Sequence, residues 1–146
     1  VNVAPIVARL AAKIPPSGLL KVGGAADFQR ALEGVTTIPA AFVIPLAESA
    51  AENDFEMSIV QQEVSALFGV MLAVRNISDA TGSAVQDALN ALRMRVRDAL
   101  VNWQPDPEWD PCTFAGGQLI GMRDQVLYWQ DDFQTGYQIR KTEINP

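Results

Sequence analysis

Residues 57–76 read MSIVQQEVSALFGVMLAVRN, and the spacing of their apolar side chains decides the fold. From residue 58 the even positions are Ser58, Val60, Gln62, Val64, Ala66, Phe68, Val70, Leu72 and Val74. The odd positions are Ile59, Gln61, Glu63, Ser65, Leu67, Gly69, Met71, Ala73 and Arg75. Successive side chains of a strand point to opposite faces, so this period of two marks a strand with the even set toward the core. The odd set is polar in its first half and apolar in its second. One long strand therefore runs from solvent into a core that must be covered on both sides.

The chain around it supplies the covering elements. Val3, Val7, Leu10 and Ile14 form one helical stripe, with Asn2 as a cap and Pro5 in the first turn, where proline is tolerated. LLKV (Leu19 to Val22) reads as a short strand, Gly23-Gly24 as a turn, and AADFQRALE as a short helix closed by Gly34. IPAAFVIPL (Ile38 to Leu46) reads as a strand whose Pro39 and Pro45 belong near its ends or on an edge, because proline cannot donate to a ladder. Val85, Leu89, Leu92, Val96, Leu100 and Trp103 form the buried stripe of the clearest helix, with Ser83 and Gln86 as a capping box and Pro105 as its stop. CTFAGGQLIGMR then reads as a strand, and VLYWQDDFQTGYQIRK (Val126 to Lys141) as a strand, an acidic turn at Asp131-Asp132, and a second strand. The order predicts a single α+β domain over residues 1–146, a mixed or antiparallel sheet with flanking helices. Val126-Leu127-Tyr128-Trp129 shows no alternation, so both of its faces need cover.

Composition narrows the function. The 146 residues, 49% hydrophobic and 19% charged, suit one globular domain. Histidine is absent, which removes the commonest general base and metal ligand. The one cysteine, Cys112, excludes an internal disulfide and a multi-cysteine zinc site. The longest apolar run, Leu67 to Val74, is too short for a membrane-spanning helix, which needs about 20 residues, so a soluble protein is expected. Net charge is −6, and two loops set it: PLAESAAENDFEMS holds Glu48, Glu52, Asp54 and Glu56, and QPDPEWDP holds Asp106, Glu108 and Asp110, with no base in either. A protein that grips duplex DNA needs the opposite sign.

No motif assembles a catalytic site. Gly23-Gly24 lacks the third glycine of a dinucleotide fingerprint and the lysine of a phosphate loop, and reads as a plain turn. DPEWDP begins like a calcium loop, but Pro111 and Gly117 stand where that loop needs glycine and glutamate. Asp131 and Asp132 point to opposite faces of a strand and cannot share a proton. Arg93, Arg95 and Arg97 read as a solvated helix face paired with Asp87 and Asp98. The chain thus carries no catalytic, metal or cofactor candidate. What remains is apolar surface: Phe55 and Met57 in one acidic loop, Trp109 in the other, and Tyr128, Trp129, Phe133 and Tyr137 in the final ribbon. Aromatics and methionine are what interfaces enrich, so these seven are candidate contact residues, with completion of the subunit's own core the competing reading for the ribbon aromatics, Tyr128 and Trp129 above all.

Those same residues carry a family likeness. VGGAADFQRAL, IPAAFVIPLAESAAEN, FGVMLAVRNISDATGSAVQDALNALRMRVRDALVNWQPD and FAGGQLIGMRDQVLYWQDDFQT resemble, in order, the tail terminator proteins of long-tailed bacteriophages. The more specific pieces are Trp103-Gln104-Pro105, Gly116-Gly117 and the ending with Trp129, Asp132-Phe133, Thr135 and Tyr137; Asn102 departs from the glycine usual before the helix-end tryptophan. The resemblance implies a structural virion protein with a small α+β fold. It implies a homo-hexameric ring that caps the tail tube, ends tube polymerisation and meets head-completion proteins, while DNA passes through without specific binding. The implied location is the virion's head–tail junction after assembly in the host cytoplasm, with no membrane. On that reading the two acidic loops line the hole or dock on the tube. The apolar half of strand 58–74 and the final ribbon pack against the next subunit or the tube below. Another head–tail connector, or a small-molecule-binding or enzymatic α+β domain, are the alternative readings.

Overall fold

The computed structural model describes residues 2–15, 18, 21–33, 37–55, 58–75 and 83–146. The elements run α1 (Ala4–Lys13), β1 (Lys21–Gly24), α2 (Ala25–Ala31), β2 (Ala40–Ala50), β3 (Val60–Arg75), α3 (Ser83–Leu100), β4 (Thr113–Arg123) and β5 (Val126–Lys141). The sheet order is β1-β2-β3-β5-β4. The β1–β2 pair is parallel and joined through α2, and the other three pairs are antiparallel. This is the expected mixed sheet of an α+β fold, with β3 at its centre.

β3 behaves as its alternation predicts. Val64, Ala66, Phe68, Val70, Leu72 and Val74 are buried on the even face, and the last four of them lie beneath α1 and α3. Ile6, Leu10 and Ile14 of α1 and Val85, Leu89, Leu92, Val96 and Leu100 of α3 close that core. Ile6 lies deeper than Val3 or Val7 of the expected α1 stripe. The N-cap of α1 is Val3 rather than Asn2, and the Asn2 side-chain oxygen just before it accepts from the Ala4 N–H at 3.1 Å. Arg9 fastens α1 to α3, donating from Nε to the Ala99 carbonyl at 2.9 Å and lying over the Trp103 ring.

The apolar half of the odd face of β3 is covered from within the chain, which corrects the assignment of that face to a neighbouring subunit or the tube. Phe28 and Ala31 of α2 pack on Phe42, Met71, Ala73, Val126 and Tyr128. A seven-residue helix reaches only the second half of the strand, and that is the half whose odd positions are apolar. The other half of the sheet, residues 44–50, 60–67 and 134–141, extends beyond the helices as a three-stranded arm.

The last ribbon departs from its sequence reading. Val126–Lys141 is one unbroken strand, paired with β3 from Val126↔Arg75 to Lys141↔Val60. Asp131-Asp132 sits in mid-strand rather than at a turn. Local turn chemistry is overridden because β3 offers a ladder of equal length. Glu48 likewise lies in β2, not in a loop. Pro45 falls at the β2 register shift, just past Val43, where β1 stops pairing and β2 becomes the sheet edge. There its missing N–H leaves no ladder bond unmade. The Ser83 side chain, Gly34, and Leu19-Leu20 of the expected first strand lie outside the described residues.

Candidate interaction surfaces

The fold brings the two acidic loops to the same half of the sheet. The loop after α3 lies against β5 through the Asp110 N–H to the Gly136 carbonyl (2.8 Å) and the Thr135 hydroxyl to the Asp110 carbonyl (2.6 Å). A Cβ on Gly136 would stand 2.8 Å from the Asp110 carboxylate and 2.9 Å from the Val64 carbonyl, so the loop seats only because glycine is there. Trp109 stacks on Tyr137 with ring centres 4.6 Å apart, and the Tyr137 hydroxyl donates to Glu48 at 3.0 Å. That bond to a carboxylate raises the Tyr137 pKa above its ordinary 10.0. Glu63, Glu108, Asp110, Gln134, Gln138 and Arg140 line an open cavity of about 540 Å³ between loop and arm. Among the described residues no three metal-ligating side chains gather.

At the far end of the arm, Asn53 organises the β2–β3 turn. Its Oδ1 accepts from the Gln61 N–H at 2.8 Å, and its Nδ2 donates to the carbonyls of Phe55 and Ile59. The ordered turn leaves Phe55 44% exposed beside Glu52 and Asp54. Glu56 and Met57 lie outside the described residues.

Of the contact candidates in the last ribbon, Phe133 is buried and Tyr128, Trp129 and Tyr137 are half-buried. Phe133 is 0% exposed, between Phe68 (5.7 Å) and Phe114 (5.6 Å), and belongs to the subunit core rather than to a surface. Trp129 lies under the Arg93 guanidinium at 4.5 Å and donates from Nε1 to Asp131 at 2.8 Å. Tyr128 packs on the α2 side, and burial raises its pKa. Arg93 does not pair with Asp87 or Asp98. It grips Asp131 with Nε (3.1 Å to each oxygen) and Nη2 (2.9 Å), where the carboxylate is wholly buried. Asp132 turns to the opposite face and accepts from Gln130 Nε2 at 2.8 Å, as strand alternation requires. Gly117 of β4 passes beneath this cluster, where a Cβ would collide with Asp131 and meet Arg93 and Trp129 at 3.0 Å.

The exposed apolar surface is instead on β4. Leu119, Ile120 and Met122 are 58%, 48% and 54% exposed, and Phe114 is also exposed beneath Arg97. Met94 and Val101 add to it from α3. β4 is the last strand of the sheet, with register shifts at Phe114/Gly116 and Leu119/Gly121. The signal was present in the sequence, as the Leu119-Ile120 pair and Met122 in a strand with no charge before Arg123. Aromatic content drew attention to the ribbon instead.

Among the described residues no helix is long and apolar enough to cross a membrane. A sequence-family profile described as "Phage tail terminator protein" matches residues 1–145. No curated protein matches the chain.

Proposed function

The chain belongs to the phage tail terminator family, whose members are structural proteins of the virion tail, and on that premise we propose that it caps the tail tube as a homo-hexameric ring. The ring ends tube polymerisation and presents its other face to head-completion proteins. DNA passes through the hole without specific binding. The observation that carries this reading is β4: an edge strand with Leu119, Ile120 and Met122 facing solvent. An apolar edge of this kind is a pairing and aggregation hazard unless a partner covers it. A ring neighbour or the tube is the cover that a protein of this family offers.

The acidic half of the sheet supports the passage of DNA. Glu63, Glu108 and Asp110 face one open cavity, and Glu48, Glu52, Asp54 and Asp106 lie on the same arm or its loops. At physiological salt a charge is felt over about 8 Å. Acids at the wall of a hole therefore repel passing phosphate, whereas acids elsewhere are silent. Electron micrographs of the purified protein test the ring directly, with six-fold annuli expected. Phage lacking the protein should grow tails of uncontrolled length; tails of fixed normal length in its absence overturn the capping role.

A further inference from the structure

A second apolar feature lies at the opposite end of the molecule from the β2–β3 turn. Ile38, Pro39, Val74, Ala88, Ala91 and Leu92 line a cavity of about 400 Å³ between α3 and the ends of β2 and β3. That size is within the range of about 300–1,000 Å³ typical of ligand pockets. Arg75 and Arg95 also line it, and both residues are exposed. Among the described residues neither forms an ion pair. An apolar lining that also carries two arginines without an ion pair among the described residues fits an aromatic side chain flanked by carboxylates.

The chain itself displays such a segment. Glu52, Asn53, Asp54 and Phe55 form the arm's tip, held in one shape by the Asn53 hydrogen bonds. Glu52 and Asp54 form no ion pair among the described residues either. Pre-ordering lowers the entropy that docking must overcome. The tip adjoins the first residue of β3, and the cavity includes its last two, Val74 and Arg75. A strand of 16 residues spans about 50 Å at about 3.3 Å per residue. No subunit can fold its own tip into its own cavity.

The geometry points to a second copy of this chain as the occupant: Phe55 of one subunit enters the Arg75/Arg95 cavity of the next, with Glu52 and Asp54 against the two arginines. The contact joins unlike surfaces, so it repeats from copy to copy and closes only as a ring. This rests on the ring reading above and names the contact that builds it. It takes the tip out of the acidic lining, leaving Glu63, Asp106, Glu108 and Asp110 to the hole or the tube.

Two variants test the contact. The tip variant carries Glu52→Lys, Asp54→Lys and Phe55→Ala; the cavity variant carries Arg75→Glu and Arg95→Glu. All five positions are exposed, so both variants should unfold at the wild-type temperature. Each alone should need roughly 30-fold more protein to assemble, the factor for about 2 kcal/mol of contact energy, lost with the aromatic anchor in the tip variant and by meeting like charge in the cavity variant. Mixed in equal amounts, they should associate at concentrations where neither assembles alone, because the mixture retains one intact tip and one intact cavity per pair. Reversing the charges on both sides of one chain, with Phe55 kept, should restore the ring. Wild-type rings together with normal rings from either variant overturn this contact and leave the ring reading standing. A wild-type protein that never assembles overturns both.

Discussion

Replacing Arg93 by alanine tests whether the cluster under α3 belongs to the subunit or to an interface. In the folded chain Asp131 is fully enclosed and receives three guanidinium contacts at 2.9–3.1 Å plus the Trp129 indole N–H. The Arg93 side chain is 18% exposed, so solvent screens the pair little. Arg93→Ala leaves a buried carboxylate with the indole as its remaining side-chain donor among these contacts. Removing one partner of a buried pair costs about 3–5 kcal/mol, mostly as desolvation of the stranded charge. For a domain near this size 1 kcal/mol shifts the melting temperature by about 2–4 °C, so a fall of roughly 6–20 °C is expected. Replacing both partners by apolar residues, Arg93→Met with Asp131→Leu, should recover much of that loss, because no charge is then stranded. Calorimetry at a concentration where the protein is monomeric reads the subunit alone. A single-variant loss below about 1 kcal/mol, or a double variant worse than the sum of the singles, refutes the reasoning.

Other outcomes follow from the same packing. Gly117→Ala should destabilise the monomer by about 1–3 kcal/mol, since its Cβ overpacks the Arg93–Asp131–Trp129 cluster; urea unfolding measures it. Phe133→Ala should cost about 3–5 kcal/mol in the monomer, as for a fully buried aromatic, with no effect specific to assembly. The Cys112 thiol is pushed by burial from an ordinary 9.0 up to about 11. Stability linked to it is therefore intact below pH 9.0 and lost as pH rises through about 11; Cys112→Ala should flatten that alkaline decline, and a thiol reagent at pH near 8 should label the thiol only after denaturation. The Asp27 carboxyl is held below its ordinary 3.8, chiefly by the Gly24 N–H. Its contribution is present above that value and falls away as pH drops below it, which Asp27→Asn should remove from an acid titration.

β3 was fully legible, because a period of two over 57–76 is a local property that any buried sheet must respect. α3 was equally clear, since Val85, Leu89, Leu92, Val96 and Leu100 repeat at the helical period and all five are buried. Asp131-Asp132 was misread because two adjacent acids before Thr-Gly favour a turn locally, whereas a full-length neighbouring strand supplies ladder bonds along the whole of β5. The pairing of Arg93 with Asp131 spans 38 positions, and no spacing rule reaches that far.

The sequence by itself determined the α+β class, the long central strand, the α3 stripe, the acidic bias of two segments and the family. Those depend on side-chain periodicity and composition, which are local along the chain. Only the tertiary structure decided that α2 covers the second face of β3, that Phe133 turns into the core while Tyr128, Trp129 and Tyr137 are half-buried, and that β4 carries the exposed Leu119, Ile120 and Met122. Those are matters of which surfaces meet across the sheet, and strand order and register set them. A side chain's own character does not say what will lie on top of it.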